Sequence, residues 1–255
     1  MSTPSPALPT PEVTAPRMSQ AARIIGVFAA PGRTFAALAR DPQFLLAWCV
    51  QIAVGVVYFQ MVLRRVGAEN LTRQSLLQSA RGRAMDPAVM QQTVHTGAKV
   101  YAIFGYLGPL FAILAMLFLG WIFQGIANFL LGQEAKYKQA LAMVSHAYLV
   151  QTLFALLSML VLVMMADPTA FNLVNPMGTN LGFYLDKANT SAFVYAFATH
   201  LDIFTLWTIL LLSLGLAKIG AKPGQPGKFA SAFTAVGGLW LLYAICSSGL
   251  TAAFA

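Results

Sequence analysis

The sequence predicts an all-α fold: a polytopic membrane helical bundle of five transmembrane helices, preceded by short interfacial amphipathic helices. Three observations predict it. Of 255 residues, 58% are hydrophobic and only 9% are charged, against about 25% charged in an ordinary soluble domain. The mean hydropathy is +0.69. Finally, five stretches are each apolar over a length able to cross a hydrocarbon core of about 30 Å at about 1.5 Å per residue.

These figures exclude whole classes of protein. Sixteen basic and eight acidic residues cannot coat a water-soluble enzyme of this length. Cys49 and Cys246 are too few for a disulfide scaffold. The net charge of +8 does not indicate nucleic acid, because the Lys and Arg fall between apolar runs and not on one aromatic-laced basic face. In that position they set topology and meet anionic headgroups.

Taken in order, residues 1–17 form a Pro-, Ser- and Thr-rich arm that cannot bury enough surface to order itself, and it lacks the layout of a signal peptide. Residues 18–43 read as an interfacial amphipathic segment. Met18, Ala21, Ile25 and Phe28 share helical spacing, Pro31 and Gly32 break the helix, and Phe35 and Leu38 continue it between Arg33 and Arg40. Arg23, Phe28, Arg33 and Phe35 are the expected interfacial anchors, with packing against the bundle as the alternative use of this segment. The membrane domain, 44–255, carries spans at about 44–63, 103–131, 140–166, 201–219 and 229–254. Asp86 and Pro87 give a cap and a first helical position inside the 64–102 connection.

Lys and Arg near the span ends orient the bundle. With the chain's start on the cytoplasmic side, the inner segments hold Arg17, Arg23, Arg33, Arg40, Lys136, Lys138, Lys218, Lys222 and Lys228. The outer ones hold Arg64, Arg65, Arg73, Arg81, Arg83, Lys99 and Lys187. The inner majority and the basic short connections put the C-terminus outside.

Candidate chemistry is sparse. His95, His146 and His200 lie on separate segments without metal-ligand spacing, so neither a metal nor a cofactor is expected. No nucleophile elbow or phosphate-cradling glycine loop is present. The polar residues inside spans are Gln51, Gln124, Asn128, Ser145, His146, Gln151 and Thr152. Gln124 and Asn128, four apart, either line a small polar cavity or hydrogen-bond between helices. Asp202 is read as a helix cap in preference to a proton relay. Ala230, Thr234 and Gly238 repeat every four positions and allow a close helix approach, within the chain or in a homo-oligomer.

Several segments resemble one family. His200 to Lys218 (HLDIFTLWTILLLSLGLAK), with Asp202, Phe204, Trp207 and Gly215, is similar to the fourth span of bacterial Yip-family proteins. Ala30 to Pro42 (APGRTFAALARDP) resembles the family's approach to its first span. Gly132 to Leu141 resembles the link between spans two and three, and Asn172 to Asn180 a loop of bacterial relatives. The resemblance covers about residues 24–220. It implies a five-span bundle with a cytosolic N-terminus in a bacterial inner membrane, and it brings no catalytic residues. For eukaryotic members it implies trafficking and GTPase partners. The expectation is a non-enzymatic integral membrane protein that organises membrane partners or bilayer shape, with membrane lipids and an unidentified membrane or cytosolic protein as partners. A transporter or channel component with a polar path is the alternative.

Overall fold

The structure, a computed structural model, describes residues 18–77, 79–187, 189–221 and 228–253. The Pro-rich arm at 1–17 and the Gly224–Gly227 turn lie outside the described residues. The helices run α1 Gln20–Ala29, α2 Pro31–Arg40, α3 Leu45–Arg65, α4 Ala68–Leu77, α5 Ala80–Arg83, α6 Pro87–Tyr106, α7 Gly108–Gly125, α8 Tyr137–Ala147, α9 Leu149–Met164, α10 Ala192–His200, α11 Ile203–Leu216 and α12 Phe229–Ala253. A π-helical turn, Ile126–Leu130, prolongs α7. Among the described residues there is no strand; a single backbone bridge joins Asn180 to Asp202.

Four segments are long and apolar enough to cross a membrane: Leu45–Arg65, Gly108–Leu130, Tyr137–Met164 and Phe229–Ala253. The exposure pattern is that of a protein solvated by lipid. Phe111, Leu114, Phe118, Trp121, Leu160, Met164 and Leu242 face outward, and Phe129 is 89% exposed. The interior holds smaller groups. Every residue of α8 from Ala140 to Ala147 is buried, four of them alanine or serine. With little hydrophobic force between helices in lipid, close backbone approach and dispersion hold them together.

Neighbouring helices approach closely at three glycines. Gly105 of α6 lies against the Phe59 ring of α3, Gly120 of α7 against Leu141 of α8, and Gly215 of α11 against Met143 of α8. A Cβ on Gly105 or Gly215 would collide with those side chains.

The second span differs from its expected form in its beginning. Asp86 accepts a bond from the Ala88 amide (2.8 Å) and starts α6. That helix then runs on to Leu107, where α7 begins with Pro109 in its first turn. Proline forfeits no bond there and redirects the chain without ending it.

The fourth span differs more. Its apolar run is too short as a single helix: α11 has 14 residues, about 21 Å at about 1.5 Å per residue. The nine-residue α10 precedes it, and both helices pack along the unbroken α12. The His200 ring meets Tyr243 of α12 edge-on at 5.4 Å, within the length of that helix. The helix is thus broken at Leu201–Asp202, two half-buried residues, and we read α10 and α11 as one interrupted fourth span.

The α1–α2 hairpin packs against α8 and α11, and here the structure redistributes the expected anchors. Arg23 is 2% exposed and Phe35 is fully buried. Arg23 shares the helical stripe of Val27, four residues on, so it turns inward with it. Inside, its guanidinium binds the Asp41 carboxylate (2.7 Å), the Asp41 carbonyl (2.7 Å) and the Met18 carbonyl (3.1 Å). Phe35 instead lies against Gly215. Phe28 is half-buried and meets Trp207 edge-on at 5.7 Å. Arg33 and Arg40 stay exposed, as does Ile25 at 68%.

Two outcomes test this packing by thermal unfolding in detergent. Asp41→Ala leaves a buried guanidinium with carbonyl partners only, and a loss of about 2 kcal/mol is expected. Gly215→Val should cost about 1–3 kcal/mol by overpacking against Met143 and Phe35. An unchanged melting temperature in either variant would contradict the arrangement.

Candidate functional site

The polar groups inside the spans are held at separate places, some within one helix turn and some across helix pairs. Gln124 and Asn128 do converge: both side-chain amides donate to the Ala135 carbonyl (3.2 and 3.1 Å), and the Ala135 amide donates to Asn128 Oδ1 (2.7 Å). They thereby tie the 131–136 link to the end of α7. Gly220, at φ +64°, brings its backbone against Ala135, and its carbonyl accepts from the Glu134 amide (3.0 Å). Lys228 Nζ donates to the Leu131 carbonyl (3.0 Å). The expected pair is thus a clasp for the short connections at the end nearer the hairpin.

His146 is 3% exposed, with Nδ1 2.9 Å from the Ala142 carbonyl one turn back. Ser145 accepts from Trp48 Nε1 (2.7 Å), and its carbonyl accepts from Gln51 Nε2 (2.9 Å). Gln151 Nε2 donates to the Thr208 hydroxyl (3.1 Å). These bonds join α3 to α8 and α9 to α11, at about 0.6–2 kcal/mol per contact.

Asp202 occupies the N-cap of α11. Its Oδ1 accepts from the Phe204 and Thr205 amides (2.8 and 3.2 Å), and its Oδ2 from the Thr179 hydroxyl (2.6 Å). The Ile203 amide donates to the Thr179 carbonyl (3.1 Å), and the Leu181 amide to the Leu201 carbonyl (3.3 Å). Asn180, 5% exposed, donates to Asn175 Oδ1 and accepts from the Phe183 amide (3.1 Å). The connection after α9 therefore folds back onto the break in the fourth span. Its outer surface is apolar, with Leu181, Phe183 and Tyr184 exposed.

Sequence reasoning missed this cluster. The signal was available: three Asn, a Thr and a Gly concentrated within Asn172–Asn180, between two apolar spans. Its partner, Asp202, is too distant in sequence for spacing to reveal the contact.

Two hollows accompany these groups. An apolar groove of about 320 Å³ lies between α3 and the α6–α7 junction, lined by Trp48, Gly55, Phe59, Gly105 and Gly108 among others. A larger cavity of about 920 Å³ opens beside α10 and α12 at the ends remote from the hairpin. It is lined by Arg83, Val174, Lys187, Thr190, Ala192, Tyr195, Ala196, Thr199, His200, Ser247 and Thr251. Partial burial, and then the Arg83 guanidinium, hold the Lys187 ammonium below its ordinary pKa. Its Nζ lies 5.4 Å from the centre of the Tyr195 ring. Among the described residues, no group of three or more His, Cys, Asp or Glu is placed to hold a metal ion.

The small-residue stripe also falls differently. Ala230, Thr234 and Gly238 are exposed. The face of α12 that enters the bundle is Ala232, Val236, Ala244 and Ser248.

Long apolar helices and lipid-facing aromatics define a polytopic α-helical membrane protein. The Yip1 domain matches residues 25–246, and the chain belongs to that family. No curated protein matches the chain, and no solved structure matches it.

The clasp and the cap give two expected outcomes. Asn128→Ala leaves the Ala135 amide without its acceptor and should cost about 1–3 kcal/mol in thermal unfolding, more than Gln124→Ala, which removes one of two donors to a carbonyl. Asp202→Ala should cost about 0.5–2 kcal/mol as a lost cap, and Asp202→Asn less.

Proposed function

We propose that the protein is a non-enzymatic organiser of its membrane, shaping the bilayer and positioning partners in it, with the α1–α2 hairpin as its working surface. One observation carries this reading. The hairpin is closed on itself by Arg23–Asp41 and tied to the bundle by Gln139 Nε2 on the Ala39 carbonyl (2.6 Å), yet it keeps Ile25, Arg33 and Arg40 exposed. A rigidly held, one-sided basic wedge displaces headgroups on one leaflet only. The resemblance and the Lys/Arg distribution support a bacterial inner membrane, with the hairpin on the cytoplasmic side and the C-terminus outside. The exposed Ala230–Gly238 stripe is available to a second copy.

The interrupted fourth span favours a second reading, a transport component, since broken helices line substrate sites in many transporters. Against it, both Asp202 carboxylate oxygens are already engaged.

Reconstitution into vesicles of mixed zwitterionic and anionic lipid tests the first reading. The protein should reduce vesicle diameter in proportion to its density, and Ile25→Glu/Arg33→Glu/Arg40→Glu should abolish the effect with the melting temperature unchanged. Equal vesicle sizes with the native and the triple-substituted protein would overturn it.

A further inference from the structure

The large cavity beside α10 and α12 has a chemistry that neither the polar network nor the hairpin uses. Arg83 comes from α5 and Lys187 from the segment before α10, more than a hundred residues apart, yet both reach one hollow; both residues are exposed, and Arg83 Nη1 also donates to the Leu77 carbonyl (3.2 Å). Two cations held together in this way favour an anion between them. The lining adds the Tyr195, Ser247 and Thr251 hydroxyls and the His200 ring, and it includes no carboxylate. The neighbouring Asp186 is engaged by the Asn189 amide at 2.5 Å. Arg and hydroxyl groups together match a phosphate monoanion or diester, which accepts paired N–H bonds from a guanidinium.

Size and surroundings say what carries the phosphate. At about 920 Å³ the hollow far exceeds a bare phosphate, and falls within the range of sites for ligands of drug size. It reaches to His200, at the break in the fourth span. The residues next to its lining are exposed and apolar: Phe193 and Val194 on α10, and Leu250 on α12. A largely apolar hollow that carries two cations and several hydroxyls, with an apolar flank, suits a headgroup whose chains remain in the bilayer.

We propose that this cavity binds the phosphate-bearing headgroup of a phospholipid from the leaflet remote from the hairpin. Arg83 and Lys187 grip the phosphate oxygens, and the Tyr195, Ser247 and Thr251 hydroxyls receive the rest of the headgroup. The site stands independently of the role given to the hairpin, since no hairpin residue lines it.

The test is native mass spectrometry of the full chain in dodecyl maltoside, titrated with dioleoyl phosphatidylglycerol or with dioleoylglycerol, the same lipid without its phosphate. The phospholipid should be retained at one per chain, at least tenfold more tightly than dioleoylglycerol. The Arg83→Gln/Lys187→Gln variant should lose at least tenfold in phospholipid affinity with its melting temperature unchanged. Equal retention of the two lipids, or undiminished phospholipid binding by that variant, would overturn the proposal. Glycerol 1-phosphate binding as tightly as the phospholipid would overturn the lipid as source and assign the site to a soluble phosphate ester. If the double variant does not fold, the comparison of the two lipids on the native chain decides the matter alone.

Discussion

Lipid offers no hydrogen bonds, and the arrangement of this chain follows from that constraint. Each polar group that the bundle encloses has to be satisfied by the protein itself, at a cost of several kcal/mol when it is not, and among the described residues inside the spans Ser248 Oγ is an exception. The break at Leu201–Asp202 shows the consequence most directly. An interrupted helix frees amides at the start of α11, and Asp202 takes two of them. The connection from Asn172 to Tyr184 bonds the Leu201 carbonyl and the Ile203 amide, and amides of its own donate to the Asn172 and Asn180 side chains. A non-helical segment lies against a membrane helix here because its polar side faces the protein and its apolar side faces out.

The same constraint explains the hairpin. Arg23 is buried with three oxygen partners, and those partners fix Met18 and Asp41, the two ends of the hairpin, at one point. The guanidinium thus closes α1 and α2 into one unit that packs against α8 and α11. Phe35 against Gly215 and Phe28 against Trp207 then fill the seam. What remains outside, Ile25, Arg33 and Arg40, is the part free to meet headgroups.

The all-α class was legible because apolar runs without charge permit little else in a bilayer, whereas the helices under the second and fourth runs are divided differently from the runs themselves. Asp202 read as a cap and Asp86–Pro87 as a helix start, since both signals are local. Three features were not legible. The inward turn of Arg23 depends on Asp41, eighteen residues on, closing the hairpin. The packed face of α12 depends on which stripe meets α10 and α11, and Ala230, Thr234 and Gly238 were as suitable by composition as the face actually used. The interruption of the fourth span depends on a polar loop more than twenty residues upstream, which no helical periodicity connects to it.

The claim on which most depends is that α10 and α11 together make one interrupted crossing. Cysteine accessibility tests it, in a background with Cys49 and Cys246 replaced by alanine. Asn189→Cys and Lys218→Cys flank the crossing and would be treated with a membrane-impermeant maleimide in right-side-out and inverted vesicles. Labelling of the two positions from opposite sides is the result this account requires. Labelling of both from the same side would mean that the segment does not cross, and would leave four spans with both termini on one face.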